Sequence, residues 1–126
     1  MEDLIHILKS KIHRAVVTQA ELEYVGSITI DKNLLEAAGM HPFERVLVSN
    51  MRNGNRLETY IIEGEAGSGT ICLNGPCAHL FHVGDEVVIM AFKLTNTSNA
   101  INFKPVVVLP ENVNKSWQFL SCPFDK

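Results

Sequence analysis

The sequence predicts a mainly β domain, its strands closed or nearly closed into a barrel, with only short helices between them. Three observations carry this: seven short apolar or alternating runs rich in β-branched residues, tight Gly, Pro and Asn connections between them, and one convincing helix. Closure is expected because so many short strands would otherwise leave unpaired edges.

In chain order the runs are Val16-Val17 and residues 27–30, 46–48, 57–62, 70–73, 86–94 and 105–109. Asn53-Gly54 is the strongest hairpin signal, since a type I′ turn needs two positive φ values that Asn and Gly accept cheaply. The returning strand then carries Arg56 and Tyr60 on one face and Thr59 on the other. The helix starts at Asp31, a good N-cap, fills two turns with Leu34-Leu35 and Ala37-Ala38, and stops at Gly39 before Pro42. A second helical turn is expected over residues 76–81, because proline suits the first helical position. The segment 112–126, with Trp117, Phe119 and Phe124, reads as polar with isolated aromatics, either packed on a neighbouring chain or disordered.

At 126 residues the chain is a single domain, residues 1–126, able to bury about two-thirds of its unfolded surface. Its 46% hydrophobic and 20% charged content is that of a soluble globular protein. No apolar run approaches the ~20 residues needed to span a bilayer, and Met1-Glu2-Asp3 is acidic where a signal peptide would be basic, so a cytoplasmic protein is expected. A net charge of −3 gives no footprint for nucleic acid. The short cluster of residues 9–14 (Lys9, Lys11, His13, Arg14) is either a solvated strand edge or a cationic pocket for a small dianion. Cys72, Cys77 and Cys122 are odd in number and form no C-x-x-C pair, which argues against a disulfide framework or structural zinc. His79 and His82 have no acidic or cysteine partner at ligand spacing, so no metal is expected.

The most informative stretch is residues 24–30, where the Gly26 carbonyl precedes the Ser27 hydroxyl inside what reads as a strand. Glycine reaches unusual φ/ψ without a Cβ clash, so the pair can bend until the hydroxyl faces the preceding carbonyl. Given strain and an oxyanion donor, Ser27 Oγ adds to the Gly26 carbonyl, the amide becomes an ester, and β-elimination leaves dehydroalanine. Hydrolysis then gives a pyruvoyl group, a ketone that can form a Schiff base with an amine and accept its electrons. Taken alone, Gly-Ser is an ordinary turn or bulge element.

Its company changes that reading. Lys11, His13 and Arg14, then Tyr24, residues 53–56 with Thr59-Tyr60, and Asn74-Gly75 with Ala78-His79 resemble, in order and spacing, the aspartate 1-decarboxylase family. The likeness runs from about Lys11 to about Ala91. It implies a double-psi β-barrel, usually a homotetramer with sites between neighbouring subunits. It also implies decarboxylation of L-aspartate to β-alanine and CO2 for pantothenate (coenzyme A) synthesis. The cofactor would be the self-generated pyruvoyl group, with neither metal nor PLP, after cleavage between Gly26 and Ser27 into a short β chain and a longer α chain.

Residue by residue, the resemblance makes Ser27 the pyruvoyl precursor and Gly26 the new C-terminus. Thr59 assists self-cleavage, Tyr60 returns a proton to carbon, and Tyr24 and His13 are polar supports. Arg56 grips one carboxylate with its planar fork and Lys11 supplies a second cation. Asn74 bonds near the pyruvoyl carbonyl, and the backbone from Gly75 through Pro76 and Cys77 lines the substrate pocket. Three departures stand out. Pro76-Cys77 replace small alanines and remove an amide donor; the turn at residues 66–68 lacks a basic residue, weakening charge near the site or at a subunit contact; and the segment after Thr95 carries little family signal. Two other readings remain open at this level: an unprocessed barrel acting as a binding or assembly module, and a pyruvoyl decarboxylase of another acidic amino acid. Whether maturation needs a helper protein is also open.

Overall fold

The computed structural model describes residues 2–121 and is mainly β, as expected. Its strands are β1 (Leu4–Val16), β2 (Gln19–Glu21), β3 (Ser27–Asp31), β4 (Arg45–Asn50), β5 (Arg56–Gly64), β6 (Ile71–Asn74), β7 (Glu86–Asn96), β8 (Val106–Glu111) and β9 (Ser116–Leu120). Helix α1 (Lys32–Ala38), a 3-10 turn (Gly75–His79) and a single helical turn α2 (Thr97–Ala100) connect them.

The largest difference from the sequence reading is β1. Its 13 residues pair with β7 from Leu4 opposite Asn96 to Val16 opposite Glu86, whereas only its end at Val16-Val17 was legible as strand. The reason is physical: the register shifts between Leu8 and Ser10 and again between His13 and Ala15, and Arg14 takes φ 71° at the second shift. Each bulge resets the two-residue alternation, so no continuous strand pattern survives in the sequence. β1 also lies between β7 and β8, so the basic cluster at residues 9–14 is not a sheet edge. Two of its cations are paired. Lys9 Nζ pairs with Glu44 at 2.6 Å, and Arg14 Nε lies 3.7 Å from Glu86.

The strands form one sheet in the order β2-β6-β3-β5-β4-β7-β1-β8-β9, mostly antiparallel but with parallel pairs β1/β8, β2/β6 and β3/β5. The sheet curls until distant members meet. Just past β1, Thr18 N donates to Ile71 O at 2.8 Å and Thr18 Oγ1 accepts from Ile71 N at 3.0 Å. Asn114, in the β8–β9 turn, accepts from Val16 N at 2.8 Å and donates to Val16 O at 2.7 Å and Gly69 O at 2.9 Å. One buried carboxamide thereby ties β1 to the chain entering β6, and its four polar valences leave few alternatives to asparagine. Inside the curl, Ile12, Ile28, Ile30, Val48, Ile61, Ile71, Leu73, Ile89 and Phe81 are fully buried.

Local signals were obeyed where they were strong. Asp31 caps α1 by accepting from Asn33 N, Gly39 ends it at φ 68°, and Leu34, Leu35 and Ala38 turn onto the core. The expected helical turn at residues 76–81 is the 3-10 turn, displaced one to two residues toward the N-terminus with Pro76 in its first positions. The β4–β5 hairpin exists, but its loop is residues 51–55 and only Gly54 has positive φ (75°), so the two-residue type I′ turn is not what forms. The segment after residue 112 is not loose throughout: β9 pairs with β8 and Trp117 packs against the core. Cys122 and Phe124 lie outside the described residues.

Two side chains explain the longer hairpin loop. Arg52 donates to Asp85 through Nε at 2.7 Å and Nη2 at 3.2 Å, while Asn50 Nδ2 donates to the same carboxylate at 2.8 Å. His82 N adds a further bond at 2.9 Å. The Arg52 hydrogen bond, aided by those from His82 and Asn50, outweighs burial and holds the Asp85 carboxyl well below the usual carboxylate range. A depressed folded-state value stabilises the fold above the unfolded value near ~4 and is lost as pH falls through the folded one. Asp85→Asn is therefore expected to lower stability at pH 7 by about 1–3 kcal/mol in urea unfolding. The gap to wild type should shrink below about pH 4, and a gap independent of pH would show that the charge is not what matters.

Candidate active site

Gly26 and Tyr24 stand in the connection leading from β2 to β3, not within a strand, and Tyr24 is 65% exposed. Ser27 opens β3 and is 3% exposed. Directly across the antiparallel β3/β6 pair lies Asn74, the last residue of β6 and also buried. Asn74 Nδ2 donates to Ser27 Oγ at 2.9 Å, and the serine hydroxyl donates onward to Val25 O at 3.2 Å. The hydroxyl is thus bonded to the carbonyl of residue 25 rather than turned to that of Gly26.

The conformational freedom that the sequence assigned to Gly26 is needed at Gly75 instead. Gly75 has φ 67°, and a Cβ there would stand 2.7 Å from Tyr24 O and 2.8 Å from both N and Cα of Gly26. Gly26 has no positive φ, and a Cβ on it would meet Pro76 Cδ at an ordinary 3.4 Å. Gly75 and Pro76 therefore form a tight backbone lid over the Gly26-Ser27 junction. Cys77 is half-buried in the same turn.

On the other side of β3, the parallel ladder sets Ile28 beside Ile61, so Tyr60 precedes that pair at the level of Ser27, and Thr59 at the level of Gly26. Ile28 and Ile61 point into the core, which turns Ser27 and Tyr60 to the outer face. Thr59, opposite the buried Val46, turns the other way, as its sequence position predicted. Arg45, Glu58, Thr59 and Tyr60 line an open cleft of about 370 Å³, in which Arg45 is ion-paired with Glu58.

Along the sheet, Lys11 and His13 on β1 lie four strand spacings from Ser27 on β3, whereas Arg56 is on the neighbouring β5, four residues before Tyr60. Successive pairings place Lys11, Met90, Leu47 and Glu58 in one row across the sheet, and His13, Val88, Ser49 and Arg56 in the next. Each row spans three strand spacings, about 14 Å measured along the sheet. Buried Ile12 marks the inner side of β1, so Lys11 projects from the convex outer face, where side chains on separate strands diverge. The His13 ring nitrogen Nδ1 is buried without a hydrogen-bond partner. Burial first, then the charges of Lys11 and Arg14, lower the imidazole's pKa.

Two contacts at the site had no sequence motif. Thr29 Oγ1 accepts from Asn74 Nδ2 at 3.0 Å, and Cys72 Sγ donates to Asn74 Oδ1 at 3.2 Å. The signal that could have found them is the two-residue period: Thr29 shares a strand face with Ser27, and Cys72 with Asn74. The turn at residues 66–68, by contrast, lies at the wrong end of β3 to affect charge at Ser27. Gly67 N and Gly69 N both donate to Asp31, four residues along the strand, or about 13 Å away. Among the described residues, no group of three His, Cys, Asp or Glu could hold a metal, and no helix is long and apolar enough to cross a membrane.

The aspartate decarboxylase family model matches residues 3–117. The chain belongs to this family. An aspartate 1-decarboxylase of Caldicellulosiruptor bescii is 56% identical to it over 88% of this chain and 87% of the relative. Those of Thermoanaerobacter pseudethanolicus and Bacteroides thetaiotaomicron are 53% and 51% identical, covering 86% and 90% of this chain and 93% and 97% of their own length. The family match reaches beyond Thr95 and takes in β8, so the later segment is family sequence too.

The lid gives a direct prediction. Gly75→Ala adds a left-handed penalty of about 1–2 kcal/mol to a backbone collision, so urea unfolding should show a loss above about 2 kcal/mol. A variant as stable as wild type would mean that Gly75 does not approach Gly26 this closely.

Proposed function

We propose that this chain decarboxylates L-aspartate to β-alanine and CO2, the step that feeds pantothenate synthesis, after cutting itself between Gly26 and Ser27. The observation that carries the reading is the Gly26-Ser27 junction held between Asn74 and the Gly75 lid, in a chain 56% identical to an aspartate 1-decarboxylase. Cleavage proceeds in balanced steps. Ser27 Oγ bonds to the Gly26 carbonyl carbon as the C–N bond breaks, and the hydroxyl proton passes to the freed nitrogen. The Ser27 Cα proton then leaves, the Cβ–Oγ bond breaks with its electrons going to Oγ, and Gly26 departs as a carboxylate. Water replaces nitrogen at Cα and ammonia is released.

The residues present fit a pyruvoyl group at position 27. Asn74 Nδ2 now donates to Oγ of residue 27 and offers a donor to a keto oxygen on Cα of the same residue, in a buried setting. That group supplies a ketone that condenses with the substrate amine and takes up the electron pair left by CO2. Tyr60, whose position level with Ser27 on the outer face supports this role, returns a proton to the carbon that lost CO2. Thr59, level with Gly26, serves the cleavage step. Arg56 grips a substrate carboxylate bidentately, and Lys11 provides the second cation.

Because the convex sheet carries Lys11 and His13 away from Ser27, we assign those two residues to the site of a neighbouring chain, which supports sites between subunits; a homotetramer acting in the cytoplasm is the assembly we propose. The curl and its three parallel strand pairs support a double-psi barrel.

Intact-protein mass spectrometry should find a fragment ending at Gly26 and a second beginning at position 27 that is lighter by one ammonia than a serine-ended chain. Ser27→Ala should stay whole, since no nucleophile remains. A wild-type chain that also stays whole after prolonged warming would favour the non-processing barrel.

Tyr60→Phe should be cut normally and bind aspartate, yet turn over on the order of 10²-fold more slowly. Borohydride with labelled aspartate should attach label to the fragment beginning at position 27 in both proteins. Labelling with normal turnover would move the proton donor elsewhere. A processed wild type that takes no label would remove the ketone mechanism.

A further inference from the structure

We propose that Cys72 and Thr29 are positioning residues for self-cleavage: together they hold the Asn74 carboxamide with its NH2 end against Ser27 Oγ. The inference rests on the cleavage reading above and deepens it. An asparagine side chain has two ends of nearly the same shape, one a double donor and the other an acceptor, and rotation about its last bond exchanges them. Which end meets Ser27 is therefore set by what the other polar neighbours demand.

Here the neighbours demand one answer. Cys72 Sγ donates to Asn74 Oδ1 at 3.2 Å, and burial, then the negative charge of Glu21, push the thiol up, so it remains a protonated donor. Thr29 Oγ1 takes the second Nδ2 proton at 3.0 Å while Ser27 Oγ takes the first at 2.9 Å. The four residues form two cross-strand pairs on one face, Ser27 with Asn74 and Thr29 with Cys72, separated by the core-facing pair Ile28 and Leu73. Thr29 is itself fixed. Its Cγ2 packs where a Cβ on Gly64 would come within 3.1 Å, and a β-branched side chain has little χ1 freedom to move away.

The orientation matters most at elimination. When the Cβ–Oγ bond of the ester breaks, Oγ receives the electron pair and becomes an oxygen of the departing Gly26 carboxylate. A donor already aimed at Oγ stabilises charge where it develops, and a flipped amide would present a carbonyl dipole that opposes it. Loss of the positioning pair should therefore stall the chain after the acyl shift, with ester accumulating.

The experiment follows cutting of freshly purified wild type, Cys72→Val, Cys72→Ser and Thr29→Val by intact mass, with and without hydroxylamine. Hydroxylamine splits the ester to give a serine-ended fragment, heavier by one ammonia than the product of normal cutting. Cys72→Val and Thr29→Val, close to isosteric, should be cut at least about tenfold more slowly and show a hydroxylamine-sensitive fraction absent from wild type. Cys72→Ser keeps a donor and should stay within about threefold of wild type. Slower cutting without ester would assign the pair to folding rather than elimination and overturn the proposal, as would wild-type rates in both valine variants. If Cys72→Val fails to fold, Thr29→Val decides by the same two readouts. A wild type that is never cut removes the cleavage reading and this inference with it, whereas a wild type cut alongside equally fast variants removes only the inference.

Discussion

The arrangement of the site depends on a backbone contact in which no side chain takes part. Gly75 approaches Tyr24 O and the backbone of Gly26 so closely that a methyl group would stand 2.7–2.8 Å from each. Only at that separation can β6 end at Asn74, opposite Ser27, and still turn into the 3-10 segment that roofs the junction. Moving the turn outward by one methyl would draw Asn74 off Ser27 Oγ. The donor geometry is therefore a consequence of close packing between two loops, and the left-handed φ at Gly75 is the local condition for it.

A second constraint comes from the core. Ile12, Ile28, Ile30, Ile61, Ile71, Leu73, Ile89 and Phe81 fill the inside of the curled sheet and leave no room for chemistry there. Every polar group proposed for substrate work, Thr59 excepted, is thus on the outer face or in a connection. On a convex face the rows carrying Lys11 and His13 diverge from β3. The proposed grip of Lys11 and Arg56 on one small dianion would therefore need a second chain to bring its surface against the first. Glu58 and Arg45 show the same logic on a smaller scale: exposed and paired with each other, they neutralise the rim of the cleft beside Tyr60.

What was legible in the sequence divides along the range of the interaction. Asp31 and Gly39 marked α1 correctly because a cap is satisfied within three residues. Gly26-Ser27, Asn74-Gly75 and Thr59-Tyr60 could be singled out because their family spacing is a property of the sequence alone. β1 was missed over most of its length because two bulges break its period, and the pairing with β7 that overrides this is set some 75 residues away, as in Ile12 opposite Ile89. The hairpin loop took a longer form than Asn53-Gly54 suggested because Asp85, 33 residues from Arg52, captures that side chain. Thr29 and Cys72 were invisible as site residues for the same reason: each is an ordinary strand residue until the β3/β6 register sets them opposite each other.

The register also explains how one asparagine can serve two chemical stages. Before cleavage, Asn74 Nδ2 meets a hydroxyl oxygen on residue 27. In the proposed cleavage it faces that same oxygen as charge develops during elimination, and afterwards position 27 would carry a keto oxygen in need of a donor. The first two are the same atom, Oγ, whereas the proposed keto oxygen stands on Cα where the nitrogen was, so a donor held at residue 27 serves neighbouring acceptors in turn. A mobile side chain would have to be reoriented each time at an entropic cost. Cross-strand pairing with Ser27, the thiol on Oδ1 and the Thr29 hydroxyl remove that freedom before the first bond changes.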